Sequence, residues 1–190
     1  MFRKMLFGIV AVGIAASTWA EKENLLANPE FEAPEDGGGQ MPFAWEYYTS
    51  RRPSAHILEG EGKKGSQCLM LDAQQAPNVG QGFTQTIDVE PGERYDFEAY
   101  VKNYGKDPLN GSAFGQLVIE WLSPSGREGD RTTSEPWDRS LSRTGWKKMY
   151  IRKVEAPEYA AQAKFGIHLF DGDGGAEGAF LVDDVRVRKR

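Results

Sequence analysis

The chain has 190 residues, with 23 lysines and arginines against 28 aspartates and glutamates, for a formal charge of −5. An acidic chain without a basic stripe is a poor partner for nucleic acid. A single cysteine, Cys68, excludes an internal disulfide, so stability must come from an apolar core, with or without a bound ion.

Residues 1–20 read as a secretory signal. Arg3 and Lys4 form a charged head, residues 5–16 an uncharged apolar run, and Ser17-Thr18-Trp19-Ala20 an end suited to cleavage after Ala20. The apolar run is shorter than the roughly 20 residues of a membrane span, and no later segment is apolar enough to make one. The expected product is one exported domain, residues 21–190, extracellular or periplasmic, with a charge of −7.

Beyond residue 20, glycines and prolines punctuate short runs of period-two alternation, the pattern of half-buried strands. These runs predict strands at 44–49, 54–58, 66–72, 81–89, 94–103, 115–123, 146–154, 163–171 and 179–188. In 94–103, Tyr95, Phe97, Ala99 and Val101 share one face, and Asp96, Glu98, Tyr100 and Lys102 the other. In 115–123, Leu117, Ile119 and Trp121 oppose Val118, Glu120 and Leu122. In 163–171, Phe165, Ile167 and Leu169 oppose Gly166, His168 and Phe170. No stretch sustains a helical period. Cys68 falls in an apolar run and reads as a buried, inert thiol. The polar stretch 123–138 reads as the longest loop, with Trp137 in it. The pattern predicts an all-β protein, a jelly-roll sandwich of two antiparallel sheets.

Catalytic and phosphate motifs fail on their context. Residues 60–65, GEGKKG, have dinucleotide-loop spacing, but a strand follows where the phosphate chemistry needs a helix N-terminus. DGDGG at 171–175 lacks the later oxygen ligands of a helix-loop-helix calcium site and reads as a tight turn. His56 and His168 are the only histidines, and neither sits in a zinc-protease context. Glu98 and Glu120 would face one groove, as the acid and base of sugar hydrolysis, only if their strands share a sheet.

The two ends, NLLANPEFE at 24–32 and GAFLVDDVRV at 178–187, resemble the end signatures of carbohydrate-binding modules of the family 4, 9 and 22 type, which are galactose-binding-like jelly rolls. Matches at 65–71, 83–103, 145–158 and 163–170 occur in the same order and cover nearly the whole exported chain. Pro29 stands where glycine is more usual, and the 123–138 segment is long. The resemblance implies a structural calcium held by an acid near the first strand and an aspartate in the last, by position Glu32 and Asp183. An aspartate on the face of Val185 and Val187 is costly without a partner or a cation, and calcium takes six to eight oxygens, backbone carbonyls among them. Glu30 and Asp184 would be the solvated neighbours.

The resemblance further implies non-catalytic binding of a polysaccharide or glycan by aromatic faces that stack on sugar rings. By alternation the stacking candidates are Tyr100, Phe170 and Tyr150, with His168, Glu98, Lys102 and Arg152 as hydrogen-bonding neighbours. Of Trp45, Tyr47 and Tyr48, one or two should be exposed, and Tyr47 is taken as a ligand contact. Trp137 would cap a groove, whereas Trp121 and Trp146 read as core. Two alternatives stand beside this reading. One is a structural or adhesive protein that binds a protein or cell-surface polymer. The other is a small hydrolase or lyase built on two carboxylates or on His168 with a tyrosine.

Overall fold

A computed structural model describes residues 23–32, 42–49, 55–73, 80–172 and 175–190. The expected signal segment, and Asp173 and Gly174 of the 171–175 turn, lie outside the described residues. Ten strands form: β1 (Glu46–Thr49), β2 (Ala55–Leu58), β3 (Cys68–Asp72), β4 (Gly80–Asp88), β5 (Arg94–Asn103), β6 (Phe114–Leu122), β7 (Glu128–Thr133), β8 (Lys147–Glu155), β9 (Gln162–Phe170) and β10 (Ala179–Lys189). They build two five-stranded sheets, β1-β4-β9-β6-β7 and β2-β3-β10-β5-β8. All strand pairings are antiparallel, and the sheets pack face to face.

Alternation decides the packing. Phe83, Leu117, Ile119, Trp121, Phe165, Ile167 and Leu169 of the first sheet meet Tyr95, Phe97, Ala99, Val101, Phe180, Val182 and Val187 of the second. Phe97 and Phe165 cross edge to face, with centroids 5.3 Å apart. Each fully buried Phe, Leu or Ile of this kind contributes about 1.5–3 kcal/mol. Two buried rings have their polar tips satisfied: Trp121 Nε1 donates to Thr132 Oγ1 at 3.1 Å, and Tyr95 Oη accepts the Glu90 N–H at 2.9 Å.

Nine strands appear where alternation predicts them, while β7 runs through the predicted loop 123–138. It is an edge strand paired only with β6, and its residues are polar and mostly exposed. Edge strands of this composition resist pairing with other chains, but they carry no apolar alternation to read. Trp137 is a second correction. It is 3% exposed, bridges to Gly115 and stands edge-on to Phe180 with centroids 5.2 Å apart. A Cβ on Gly115 would come within 2.2 Å of Trp137 Nε1, so the glycine makes room for the indole. Trp137 therefore closes the core and not a groove. Trp146, expected in the main core, packs instead on a smaller apolar cluster of Cys68, Met70, Ala179 and Leu181 on the outer side of the second sheet. Burial there pushes the Cys68 thiol up to about 12, as expected of an inert cysteine.

Residues 24–29 meet the last strand. The Leu25 N–H donates to Val187 O at 2.9 Å, and the Val185 N–H donates to Pro29 O at 2.9 Å. The Asn24 side chain bonds both Val185 O and the Val187 N–H, each at 2.9 Å. Gln85 of β4 accepts the Ala27 N–H at 3.0 Å and donates to Ala27 O at 2.6 Å, so this segment ties the last strand to the opposite sheet. Phe31, fully buried, then packs on Trp45 with centroids 5.2 Å apart.

Candidate functional site

The outer face of the first sheet carries a cleft of about 400 Å³. Its floor is β4 and β9, with Thr84, His168 and Phe170. Glu46 and Tyr48 of β1 form one side, and Glu120 of β6, Arg131 of β7 and Lys164 of β9 form the other. Register explains the convergence: Tyr48 lies opposite Gly82, Gly82 opposite His168, and His168 opposite Gln116, so one row crosses four strands.

His168 is the centre of that row. It is 2% exposed, and its Nδ1 lies 2.7 Å from the Tyr48 hydroxyl, with the two rings edge to face. Two glycines allow this: a Cβ on Gly166 would come within 2.3 Å of His168 Nε2, and one on Gly82 within 3.1 Å of its Cδ2. Burial first, then Arg131 and Lys164, lower the His168 pKa to about 3. The imidazole is neutral at ordinary pH. Its Nε2 is also buried and has no hydrogen-bond partner among the described residues. Burial and the Glu120 charge push the Tyr48 hydroxyl well above its ordinary value, so it stays protonated as well. The pair is a neutral donor–acceptor unit in which the buried imidazole anchors Tyr48, its exposed half.

Beside it, Phe170 stacks on Phe114 with centroids 4.9 Å apart and planes 18° apart. Across the cleft, Glu120 holds Arg131 at 3.2 Å and Lys164 at 3.8 Å. Arg131 also binds Glu128, its Nη2 lying 2.9 Å from Oε2. The arrangement offers aromatic faces, neutral hydrogen-bonding groups and fixed, mutually balanced charges. Such a surface suits a hydroxyl-rich, uncharged ligand better than an ionic one.

The sequence-predicted residues divide among three places. His168 and Phe170 line the cleft. Tyr47 edges it, but its ring packs on Phe83 at 4.9 Å and its hydroxyl meets Gln81 Oε1 at 2.6 Å. Glu98, Tyr100 and Tyr150 lie on β5 and β8, on the outer face of the other sheet. Trp137 is in the core. Glu98 and Glu120 stand on different sheets and share no groove. Glu46, Thr84, Arg131 and Lys164 escaped the sequence reading. Lys164 follows from the same alternation that exposes His168, whereas Arg131 lies on the strand read as a loop.

Glu32 and Asp183 both hang on the loop that follows β2. Glu32 Oε1 accepts the Gln67 N–H at 2.9 Å. Asp183 Oδ2 accepts the Lys63 N–H at 2.7 Å and the Ser66 hydroxyl at 3.4 Å, and Oδ1 accepts the Asp184 N–H at 2.7 Å. Asp183 does not share the valine face as expected. A bulge between Asp183 and Arg186, with Asp184 at φ 52°, sets it opposite Tyr100 while Val185 turns inward. It is nonetheless 2% exposed, and burial pushes its carboxyl up. All its hydrogen-bond donors are neutral, because the Lys63 ammonium goes to Asp184 at 2.7 Å. A buried carboxylate with only neutral donors is one that a cation would relieve. No group of three or more His, Cys, Asp or Glu side chains forms a metal cluster among the described residues. Asp183 and Glu32 both reach the loop between β2 and β3, and carboxylates are ligands of the kind an oxygen-seeking ion takes.

No family profile and no curated sequence matches the chain. Solved structures do. A family 61 carbohydrate-binding module, TmCBM61 in complex with β-1,4-galactotriose, matches at 15% identity and a TM-score of 0.57, over 88% of this chain and 99% of that one. The CBM22-1 xylan-binding domain of Paenibacillus barcinonensis Xyn10C matches at 15% identity and a TM-score of 0.55, over 88% and 95%. The CBM22-1–GH10 modules of Clostridium thermocellum xylanase 10B, complexed with xylohexaose, match at 19% identity and a TM-score of 0.63. This chain is 90% covered there but spans only 29% of that longer chain. The two structures matched almost end to end are binding modules, and the enzyme is matched over a part of its length. The two-sheet sandwich described above is thus the fold of carbohydrate-binding modules.

Proposed function

We propose that the protein is a secreted, non-catalytic module that binds a polysaccharide chain in the cleft of the first sheet. The observation that carries this reading is the Tyr48–His168 pair beside the Phe114–Phe170 stack. Sugar rings present apolar C–H faces and hydroxyl edges, and this surface offers ring faces and a half-exposed tyrosine held by a neutral imidazole together. Groups held in mutual ion pairs do not need to be desolvated as bare charges when a neutral chain settles on them. Catalysis is disfavoured by the same features. A histidine with a pKa near 3 is a weak base, and Glu120 is clamped by two cations. The oligosaccharides held by the matched modules, galactotriose and xylohexaose, support a polymer ligand of this kind. Calcium at Glu32 and Asp183 would fasten the N-terminal segment and β10 to the loop between β2 and β3.

The test is a polysaccharide and glycan array with the exported chain, run in calcium and in EDTA, alongside Tyr48→Ala. Selective binding that Tyr48→Ala abolishes supports the reading. Silence on every glycan, with the fold intact by circular dichroism, overturns it.

A further inference from the structure

Glu46 is the cleft carboxylate that no cation holds among the described residues. The other charged groups that line the cleft are committed to one another. Glu120 lies 3.2 Å from Arg131 and 3.8 Å from Lys164, and Arg131 is shared with Glu128 at 2.9 Å. Tyr48 and His168 add no charge, the one protonated and the other neutral. With Glu128 included, Glu46, Glu120 and Glu128 face Arg131 and Lys164, and the surplus charge is that of Glu46.

Strand geometry puts this carboxylate beside the stacking surface. Glu46 and Tyr48 are two residues apart on β1 and point to the same face, about 7 Å from each other along the strand. Glu46 lies opposite Thr84 and Tyr48 opposite Gly82, so both rise from the β1 wall beside the β4 floor. β4 and β9 separate that wall from β6, which leaves about 14 Å between the two walls at the backbone. A glycan settled in the cleft has a free carboxylate on one side and a neutralised one on the other.

A free carboxylate is selective. It only accepts hydrogen bonds, through two oxygens, and charge-assisted bonds are roughly twice as strong as neutral ones. Two adjacent hydroxyls of a sugar ring are the matching donors. A uronate or sulfate brought to the same place meets a like charge, which at contact distance costs about fivefold in affinity even at the dielectric constant of water. Glu46 is exposed, so it keeps its charge in the empty cleft without a cation.

We infer that Glu46 is a specificity-determining residue of the cleft, which takes a pair of adjacent free hydroxyls on a neutral glycan and turns away glycans that carry carboxylate or sulfate. The inference rests on the cleft being the glycan site. Tyr48 supplies the ring face there, and Glu46 the selection.

The experiment is affinity electrophoresis of the exported chain in gels containing xylan, β-1,4-galactan or mixed-linkage β-glucan, each native and lightly carboxymethylated. Carboxymethylation keeps the backbone and adds anions. The parent should be retained by at least one native polymer and several-fold less by its carboxymethylated form, the gap narrowing as sodium chloride rises. Glu46→Gln keeps one acceptor oxygen and removes the charge. It should hold the native polymer about fivefold less tightly and lose most of the preference. Glu46→Lys should reverse the preference. Both variants should melt with the parent, because the side chain is exposed and no ion pair is lost. Equal retention of native and carboxymethylated polymer by the parent, or a preference unchanged in both variants, would overturn the role of Glu46 and leave the glycan reading standing. Retention by none of the native polymers would remove the glycan reading itself, and this inference with it.

Discussion

The Tyr48 hydroxyl and His168 Nδ1 stand 2.7 Å apart on neighbouring sides of Gly82, joining β1 to β9 across β4. Tyr48 is 39% exposed and His168 2%, so the tyrosine is the open half of the pair and the histidine its fixed anchor. Tyr48→Phe keeps the ring and removes only the hydroxyl. It should weaken glycan binding by about 1 kcal/mol, the worth of one net hydrogen bond. Tyr48→Ala removes the stacking surface too and should abolish detectable binding, with only a small change in melting temperature. Isothermal titration calorimetry with the array-selected glycan, alongside thermal melts, checks both.

The buried histidine makes a pH prediction with a definite sign. Its folded pKa, about 3, lies below its ordinary 6.5. Between those values the unfolded chain binds the extra proton, so stability rises with pH across the window. His168 therefore costs nothing above about pH 6.5 and progressively more as the pH falls, at up to about 1.4 kcal/mol per pH unit. His168→Gln, which has no proton to take up, should lose less melting temperature than the parent between neutral and acidic buffer. Equal losses in the two proteins would remove His168 as the cause. Glycan affinity of the parent, by contrast, should stay flat through the mildly acidic range, because the imidazole does not titrate there while the fold holds.

Two glycines carry the cleft floor, and their neighbours distinguish their roles. A methyl on Gly166 meets the His168 ring at 2.3 Å, a side chain that can swing away. A methyl on Gly82 meets the Ile167 carbonyl at 2.5 Å, which is backbone. Gly166→Ala should keep the fold, displace His168 and lose binding. Gly82→Ala should strain the sheet by about 1–3 kcal/mol, as overpacking does. Denaturant melts of both variants, with binding measured on whichever remains folded, separate the two effects.

Much of the fold was legible because period-two alternation is a burial signal, and nearly every strand here has one apolar face. The same signal does not say which sheet a strand joins. His168 and Tyr100 both read as outward-facing, correctly, yet they lie on opposite sides of the sandwich, because strand order depends on long-range pairing and not on local pattern. At Tyr47 and Tyr48 the alternation makes one face the core, but two adjacent tyrosines give no hint of which. β7 was invisible because an edge strand has no need of an apolar face, and Arg131 was missed with it. The 180–187 run misled in another way: the bulge at Asp184 inserts a residue and moves Asp183 off the face it would share with Val185. Trp137 was read from its polar neighbours, whereas Gly115, far along the chain, is what opens the core to it.

Trp137 gives a prediction that tests its reassigned place. A side chain 3% exposed and packed on Phe180 contributes through burial. Trp137→Ala should destabilise the domain by about 3–5 kcal/mol, as large-to-small core changes do. A groove-capping tryptophan would instead lose glycan affinity with little change in stability. Urea denaturation followed by circular dichroism decides between them.

The last prediction concerns Asp183 and the expected calcium. Without a cation, a buried carboxylate with a raised pKa works against the fold above its ordinary pKa, and the fold gains as pH falls toward protonation. With a bound cation the sign reverses, because the ion favours the ionised, folded form. Calcium at 100 times its dissociation constant would add about 2.7 kcal/mol. The parent protein should thus melt higher in calcium than in EDTA, and the gap should close in acid as Asp183 protonates and releases the ion. Asp183→Asn should erase the gap. Glu32→Gln should narrow it, since Glu32 is exposed and its remaining amide oxygen still accepts from Gln67. If calcium leaves the parent's melting temperature unmoved at neutral pH, Asp183 is held by the Lys63, Ser66 and Asp184 donors alone, and its ionisation should then appear as a smaller loss of melting temperature in acid for the parent than for Asp183→Asn.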